Sequence, residues 1–163
     1  MNSPTTSPQQ PDVSGLVAAI ARNTEAGGLA KHLEPFRWKV LADYVHPLNR
    51  KRGELLIAQG EMDRKLYFVE SGDLKVDMHG PKGIIHLAIV GPGSVVGEGS
   101  FFSHLARSAS VSAYSDCKVW VMAPADFDKL SHDNANVALA VAMALGTILA
   151  TRMLDMSKRL AVI

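Results

Sequence analysis

Between Val96 and Ala109 the chain reads VGEGSFFSHLARSA, a run whose glycines, single carboxylate and single guanidinium are not required by apolar alternation or by an ordinary turn. Gly97 and Gly99 flank Glu98, so the backbone can bend sharply there and approach a bound group, turning N–H donors into a small concavity or the start of a short helix. Such a cradle favours an anion. Arg107, nine positions beyond Glu98, offers a planar fork of donors that suits phosphate oxygens. A carboxylate beside an anion site makes sense when the ligand also carries hydroxyls to donate to it. A sugar phosphate meets both requirements, and Ser108 adds a hydroxyl next to the arginine.

Elsewhere the reactive residues form no second constellation. His32, His46, His79, His86, His104 and His132 show no paired helical spacing, so no metal is assigned, and His104 reads as an exposed loop residue. Cys117 is the only cysteine, which excludes an intrachain disulfide and a multi-cysteine metal site and fits a reducing, cytoplasmic setting. No nucleophile, base and orienting group occur together, so catalysis is not expected and no cofactor is assigned. With 17 Lys+Arg against 16 Asp+Glu, there is no electrostatic case for a nucleic-acid surface.

The secondary structure around the stretch is readable from composition and apolar spacing. A chain of 163 residues with 47% hydrophobic content supports one compact domain with a real core. Residues 1–14, rich in Ser, Pro, Thr and Gln, are expected to form a flexible tail. Residues 15–46 show helix-like spacings interrupted at Gly27-Gly28. From 47 to 123 the chain changes to apolar runs of about five residues broken by turn signals about every ten, the mark of a β sandwich or barrel. Residues 124–163 return to helix, starting at Pro124, with a long helix from about Asn134 toward Leu160. The start lacks the features of a secretory signal. The apolar run Val137 to Leu149 is shorter than the ~20 residues a bilayer span needs, so no membrane segment is expected. The expected architecture is an antiparallel β-roll of jelly-roll, cupin-like type, with N-terminal helices and a long C-terminal helix.

The stretch 96–109 resembles the phosphate-binding cassette of the cyclic-nucleotide-binding domain family, the effector domain of catabolite activator proteins and kinase regulatory subunits. Its Gly-Glu, short helix, and Arg before a small residue and Ala are matched by Gly97, Glu98, Arg107, Ser108 and Ala109. Gly53-Glu54-Leu55-Leu56, Gln59-Gly60-Glu61 and Leu66 through Gly72 match the family's early strands in order and spacing. The resemblance implies that Glu98 accepts from the ribose 2′-hydroxyl and that Arg107 pairs with the cyclic phosphate. It also implies backbone donors near Gly97, Gly99 and Ser100, with Ser108 against phosphate or base. The family prefers an aliphatic residue and then Ala after the glutamate, where this chain has Gly99 and Ser100, and Pro before the arginine, where it has Ala106.

The function implied is that of a stand-alone bacterial module that binds cAMP in preference to cGMP and regulates an effector protein, of a kind not written in the sequence, through movement of its helices. The alternative is a degenerate roll that serves only as a protein-interaction scaffold. In the resembled family the C-terminal helix dimerises and covers the base, which implies Thr151 or Arg152 as a base contact. Ala142, Gly146, Leu149, Met153, Met156 and Leu160 recur at a 4-3-4-3-4 spacing. That spacing suits either a homodimer seam or packing on the roll. Arg152, Lys158 and Arg159 are too few for a phosphate-tracking surface, so direct DNA binding is not expected.

Overall fold

The computed structural model of the chain describes residues 9–25 and 28–161. Of the expected tail, residues 1–8 lie outside the described part, and Ser14 already opens the first helix. Eight strands form two four-stranded antiparallel sheets, the β-roll that the turn spacing predicts. One sheet has the order β1(His46–Arg50), β8(Cys117–Met122), β3(Leu66–Ser71), β6(Val95–Val96); the other has β2(Leu55–Ile57), β7(Ser110–Ala113), β4(Leu74–Gly80), β5(Gly83–Val90).

The inner strands β3 and β8 of the first sheet are buried on both faces, and their sequence shows why. Along β3 the residues Leu66 and Phe68 turn outward to a helical layer, whereas Tyr67 and Val69 turn into the roll against Leu74, Val111 and Val119. Strand β8 divides in the same way, with Trp120 and Met122 outward and Cys117 and Val119 inward. A strand buried on both sides reads as an unbroken apolar run, as LYFV does. The helical layer consists of α1(Ser14–Arg22), α2(Trp38–Leu41), α4(Pro124–Asp133) and the first half of α5(Ala135–Ala161). Leu16, Trp38, Leu130, Val141 and Leu145 fill it, and Trp38 meets the Phe68 ring edge-on at 5.6 Å.

Two strands depart from the sequence reading. His46–Arg50, whose first residue is expected from its spacing to close the helical segment, is a strand paired to β8. It is an edge strand, so Pro47 removes no ladder bond that the sheet needs. Val95–Val96 pairs with Phe68 and Tyr67 and delivers the chain into the Gly-Glu turn.

The long helix packs on the roll through a face other than most of the 4-3-4-3-4 set. Val137, Ala138, Val141, Ala144, Leu145 and Ile148 pack inward, while Gly146, Met153 and Met156 are exposed and Ala142 and Leu149 half-buried. The 4-3-4-3-4 set therefore lies away from the roll; the side chain of Leu160, its last member, lies outside the described part. The helix Ala135–Lys158 extends beyond the run Val137–Leu149 and is, by length and composition only, long and apolar enough to cross a bilayer, its most apolar 18 residues having mean hydropathy 1.9. Its inward face is nonetheless occupied by the domain's own core.

Phe68 links the two layers of this core. Phe68→Ala is expected to lower unfolding stability by about 3–5 kcal/mol, measured by urea denaturation.

Candidate functional site

The cassette is a six-residue helix, α3(Glu98–Ser103), held between two left-handed residues. Gly97 precedes it at φ +94°, and a Cβ there would stand 2.5 Å from the Lys65 carbonyl oxygen and 2.9 Å from Nη1 of Arg107. Only glycine fits. His104 closes the helix at φ +59°, its N–H donating to the Ser100 carbonyl at 3.1 Å, and its side chain is exposed as the sequence suggests. Phe101 anchors α3 by packing edge-on against Phe127 of α4 at 5.1 Å.

Arg107 is the most constrained polar residue of the site. Its side chain is 3% exposed, although it carries a full charge. Nε and Nη2 donate to the two carboxylate oxygens of Asp63 at 3.2 and 2.7 Å. Nη2 also donates to the Lys65 carbonyl at 2.7 Å, and Nη1 donates to the Gly97 carbonyl at 2.9 Å. Four of the five guanidinium N–H groups are thus engaged, and the last, on Nη1, has no acceptor among the described residues. The hydrogen bonds from Arg107, ahead of all other influences, hold the Asp63 carboxyl below the usual carboxylate range.

The loop between β2 and β3 supplies this support. Gly60 donates its N–H to the Arg107 carbonyl and Arg107 donates its own to the Glu61 carbonyl, both at 2.8 Å, which gives the Gln59-Gly60-Glu61 signal a physical meaning. Arg64 donates to the Phe101 carbonyl at 2.7 Å near the end of α3. Asp63 is the site residue that sequence reading misses. It stands 44 positions from Arg107 with no local pattern around it, and only the fold brings the two together.

Glu98, 7% exposed, faces the pocket from the first turn of α3. An ion pair joins one of its oxygens, Oε1, to Nη1 of Arg152 on α5, and Nη2 of Arg152 donates to the Val95 carbonyl at 2.9 Å. These residues enclose a cavity of about 180 Å3. Gly97, Glu98, Gly99, Ser100, Arg107, Ser108 and Ala109 form its polar side, and Ile57, Val76, Val96 and Val111 its apolar wall, with Arg152 at its edge. A Cβ on Gly99 would meet nothing within 4 Å, so the aliphatic side chain usual at that position in the resembled family leaves open space here.

Thr151 does not line this cavity; one residue before Arg152, it is rotated around the helix into a neighbouring cleft with Asn23, Glu25, Ser94 and Asp155. The charge of Arg107 is already opposed by Asp63. Cys117 is buried inside the roll, where burial pushes its thiol up, so it is a core residue.

The chain belongs to the cyclic nucleotide-binding domain family, whose model matches residues 47–134. Over 92 residues it is 29% identical to the CRP-like cAMP-activated global transcriptional regulator of Mycobacterium tuberculosis, covering 56% of this chain and 41% of that one. Over 85 residues it is 31% identical to the cAMP-dependent protein kinase type II regulatory subunit of Drosophila melanogaster, covering 52% of this chain and 22% of that one. The matched region is thus less than half the length of these relatives. A cyclic nucleotide-binding domain from Methylobacillus flagellatus shares the fold, with a TM-score of 0.76 at 22% identity over 89% of this chain and 80% of that one. The catabolite activator protein of Thermus thermophilus superposes with a TM-score of 0.70 at 27% identity over 82% of this chain and 62% of that one.

Asp63→Asn leaves a buried guanidinium without its counter-charge. Because the aspartate is a third exposed, the cost is expected to be about 2 kcal/mol, below that of a fully buried pair. The folded-state pKa of Asp63 is depressed, so its contribution is present above the ordinary carboxylate value and lost as pH falls through the folded one. Thermal melts from about pH 5 down to about pH 2 are expected to show a shallower loss of stability in the variant than in the wild type.

Proposed function

We propose that this domain is a receptor for a 3′,5′-cyclic mononucleotide, cAMP in preference to cGMP, and that it transmits occupancy to a partner protein through α5. The observation that carries the reading is the convergence, in one cavity, of a buried guanidinium, a buried carboxylate and an apolar wall. The free Nη1–H of Arg107 and the first-turn N–H groups of α3 suit a singly charged phosphodiester. The unpaired Oε2 of Glu98 suits a ribose hydroxyl, and the wall of Ile57, Val76, Val96 and Val111 suits the faces of the sugar and base. The preference for cAMP rests on the two relatives named for it, one a transcriptional regulator and one a kinase subunit, beside a cGMP-dependent kinase that is 29% identical over 82 residues.

Arg152 is the residue by which the cavity acts on α5. It holds Glu98 by one oxygen, so a ribose that binds the other places ligand and helix on a single carboxylate. Occupancy would favour the conformer in which α5 lies across the cavity, a shift of population between existing states. The exposed residues Leu139, Met143, Met153, Leu154 and Met156 form the surface that moves with the helix. That surface is offered to an effector protein. The single buried thiol suits the reducing cytoplasm in which such a receptor would work.

Titration calorimetry with cAMP and then cGMP tests the reading. Micromolar or tighter binding, stronger for cAMP, is expected. Arg107→Ala is expected to weaken it about 100-fold, the scale of about 3 kcal/mol for removing one partner of a buried charge contact. Absence of heat with both nucleotides, in protein shown to be folded, would favour a roll kept as an interaction scaffold, the reading to which Gly99-Ser100 points.

A further inference from the structure

Strand β5 is the edge of its sheet, is eight residues long, and is exposed along nearly its whole length. Ile84, Ile85, Leu87 and Ile89 are 55%, 49%, 44% and 57% exposed. An edge strand presents a row of unpaired N–H and C=O groups, and folded proteins usually guard such a row with lysine, proline, a bulge or a covering segment. Between Gly83 and Val90 there is no proline and no lysine, and the single ionisable side chain, His86, is tied at 2.6 Å to Asp77 of β4. A bulge at Leu87, where Val76 pairs with Ala88 and Asp77 with His86, is the one such guard on the strand and separates Gly83–His86 from Ala88–Val90.

The geometry points to pairing of β5 with β5 of a second copy, antiparallel about a two-fold axis at the bulge. Such an interface sets the same patch against itself, so the strand must be complementary to its own reverse. The sequence IIHLAI meets that condition: Ile84 falls opposite Ile89 of the second copy, Ile85 opposite Ala88, and His86 opposite Leu87. No charged residue meets its own kind. Beyond the strand's first residue, Lys82 of the two-residue Pro81-Lys82 turn is directed toward Gly91 of the second copy. The Asp73 carboxylate stands there, with Oδ1 3.1 Å from the position of a Cβ on Gly91. Neither Lys82 nor Asp73 has an ion-pair partner among the described residues of its own chain. The two-fold axis therefore places one Lys82 to Asp73 contact at each end of the paired strands and joins the two four-stranded sheets into one of eight strands. This surface is separate from the outward stripe of α5 and does not depend on a ligand.

Sedimentation velocity on the 163-residue chain at tens of micromolar is the test, with circular dichroism and melting temperature to verify folding. A dimer is expected for the wild type, and a monomer for Ile84→Lys/Ile89→Lys, whose side chains are already half in water. Lys82→Glu is expected to shift the equilibrium toward monomer, and Lys82→Glu/Asp73→Lys to restore the dimer by reversing the pair. A monomeric wild type, a dimer that survives the double lysine substitution, or failure of the reversed pair to restore association would overturn the proposal.

Discussion

A charged guanidinium that is almost wholly withdrawn from water is the constraint around which the site is built. An unpaired ion in that position would cost far more than a domain of this size can supply, so its partners have to be fixed before the pocket can exist. Arg107 obtains them from three directions: the Asp63 carboxylate, the Lys65 carbonyl and the Gly97 carbonyl. Each makes a demand on the sequence. Asp63 and Lys65 require the loop between β2 and β3 to turn back over the cassette, which Gly60 permits at φ +88°. The Gly97 carbonyl faces the guanidinium only because residue 97 adopts a left-handed conformation too crowded for any side chain.

A second ion pair meets the first at the same cavity. Glu98 is balanced by Arg152 as Arg107 is balanced by Asp63, so the polar lining is close to neutral before any ligand enters. Under the proposed function, an incoming phosphodiester would be recognised by directed donors and by the dipoles of the first turn of α3 more than by net charge. The two pairs differ in what they connect. Asp63 and Arg107 belong to the roll and hold its mouth in shape, whereas Glu98 and Arg152 join the roll to a helix whose distal half stands clear of it. Under the proposed function, a change at Glu98 is passed to α5 through this contact.

Much of this is legible in the sequence, and the exceptions have a physical pattern. The roll is announced by short apolar runs punctuated by turns, because alternation and turn chemistry are local properties. The cassette is legible for the same reason: Gly97, Glu98, Arg107, Ser108 and Ala109 lie within thirteen consecutive positions. Strand β1 is not, since HPLNR has neither alternation nor β-branched residues and owes its conformation to β8. Asp63 and the carboxylate-holding role of Arg152 are not legible either, because they depend on approaches across 44 and 54 positions. The resemblance implies Thr151 or Arg152 without distinguishing them, and only the rotation of α5 on its core face shows that Arg152 is the one that lines the cavity.

Communication between the cavity and α5 through Glu98 and Arg152 is the step on which the proposed function turns, and amide hydrogen exchange along α5 with and without saturating cAMP reports it. Slower exchange is expected in the turns around Arg152 when the nucleotide is present, with loss of that effect in Arg152→Ala although the nucleotide still binds. Exchange in α5 that is the same with and without bound nucleotide would refute this coupling.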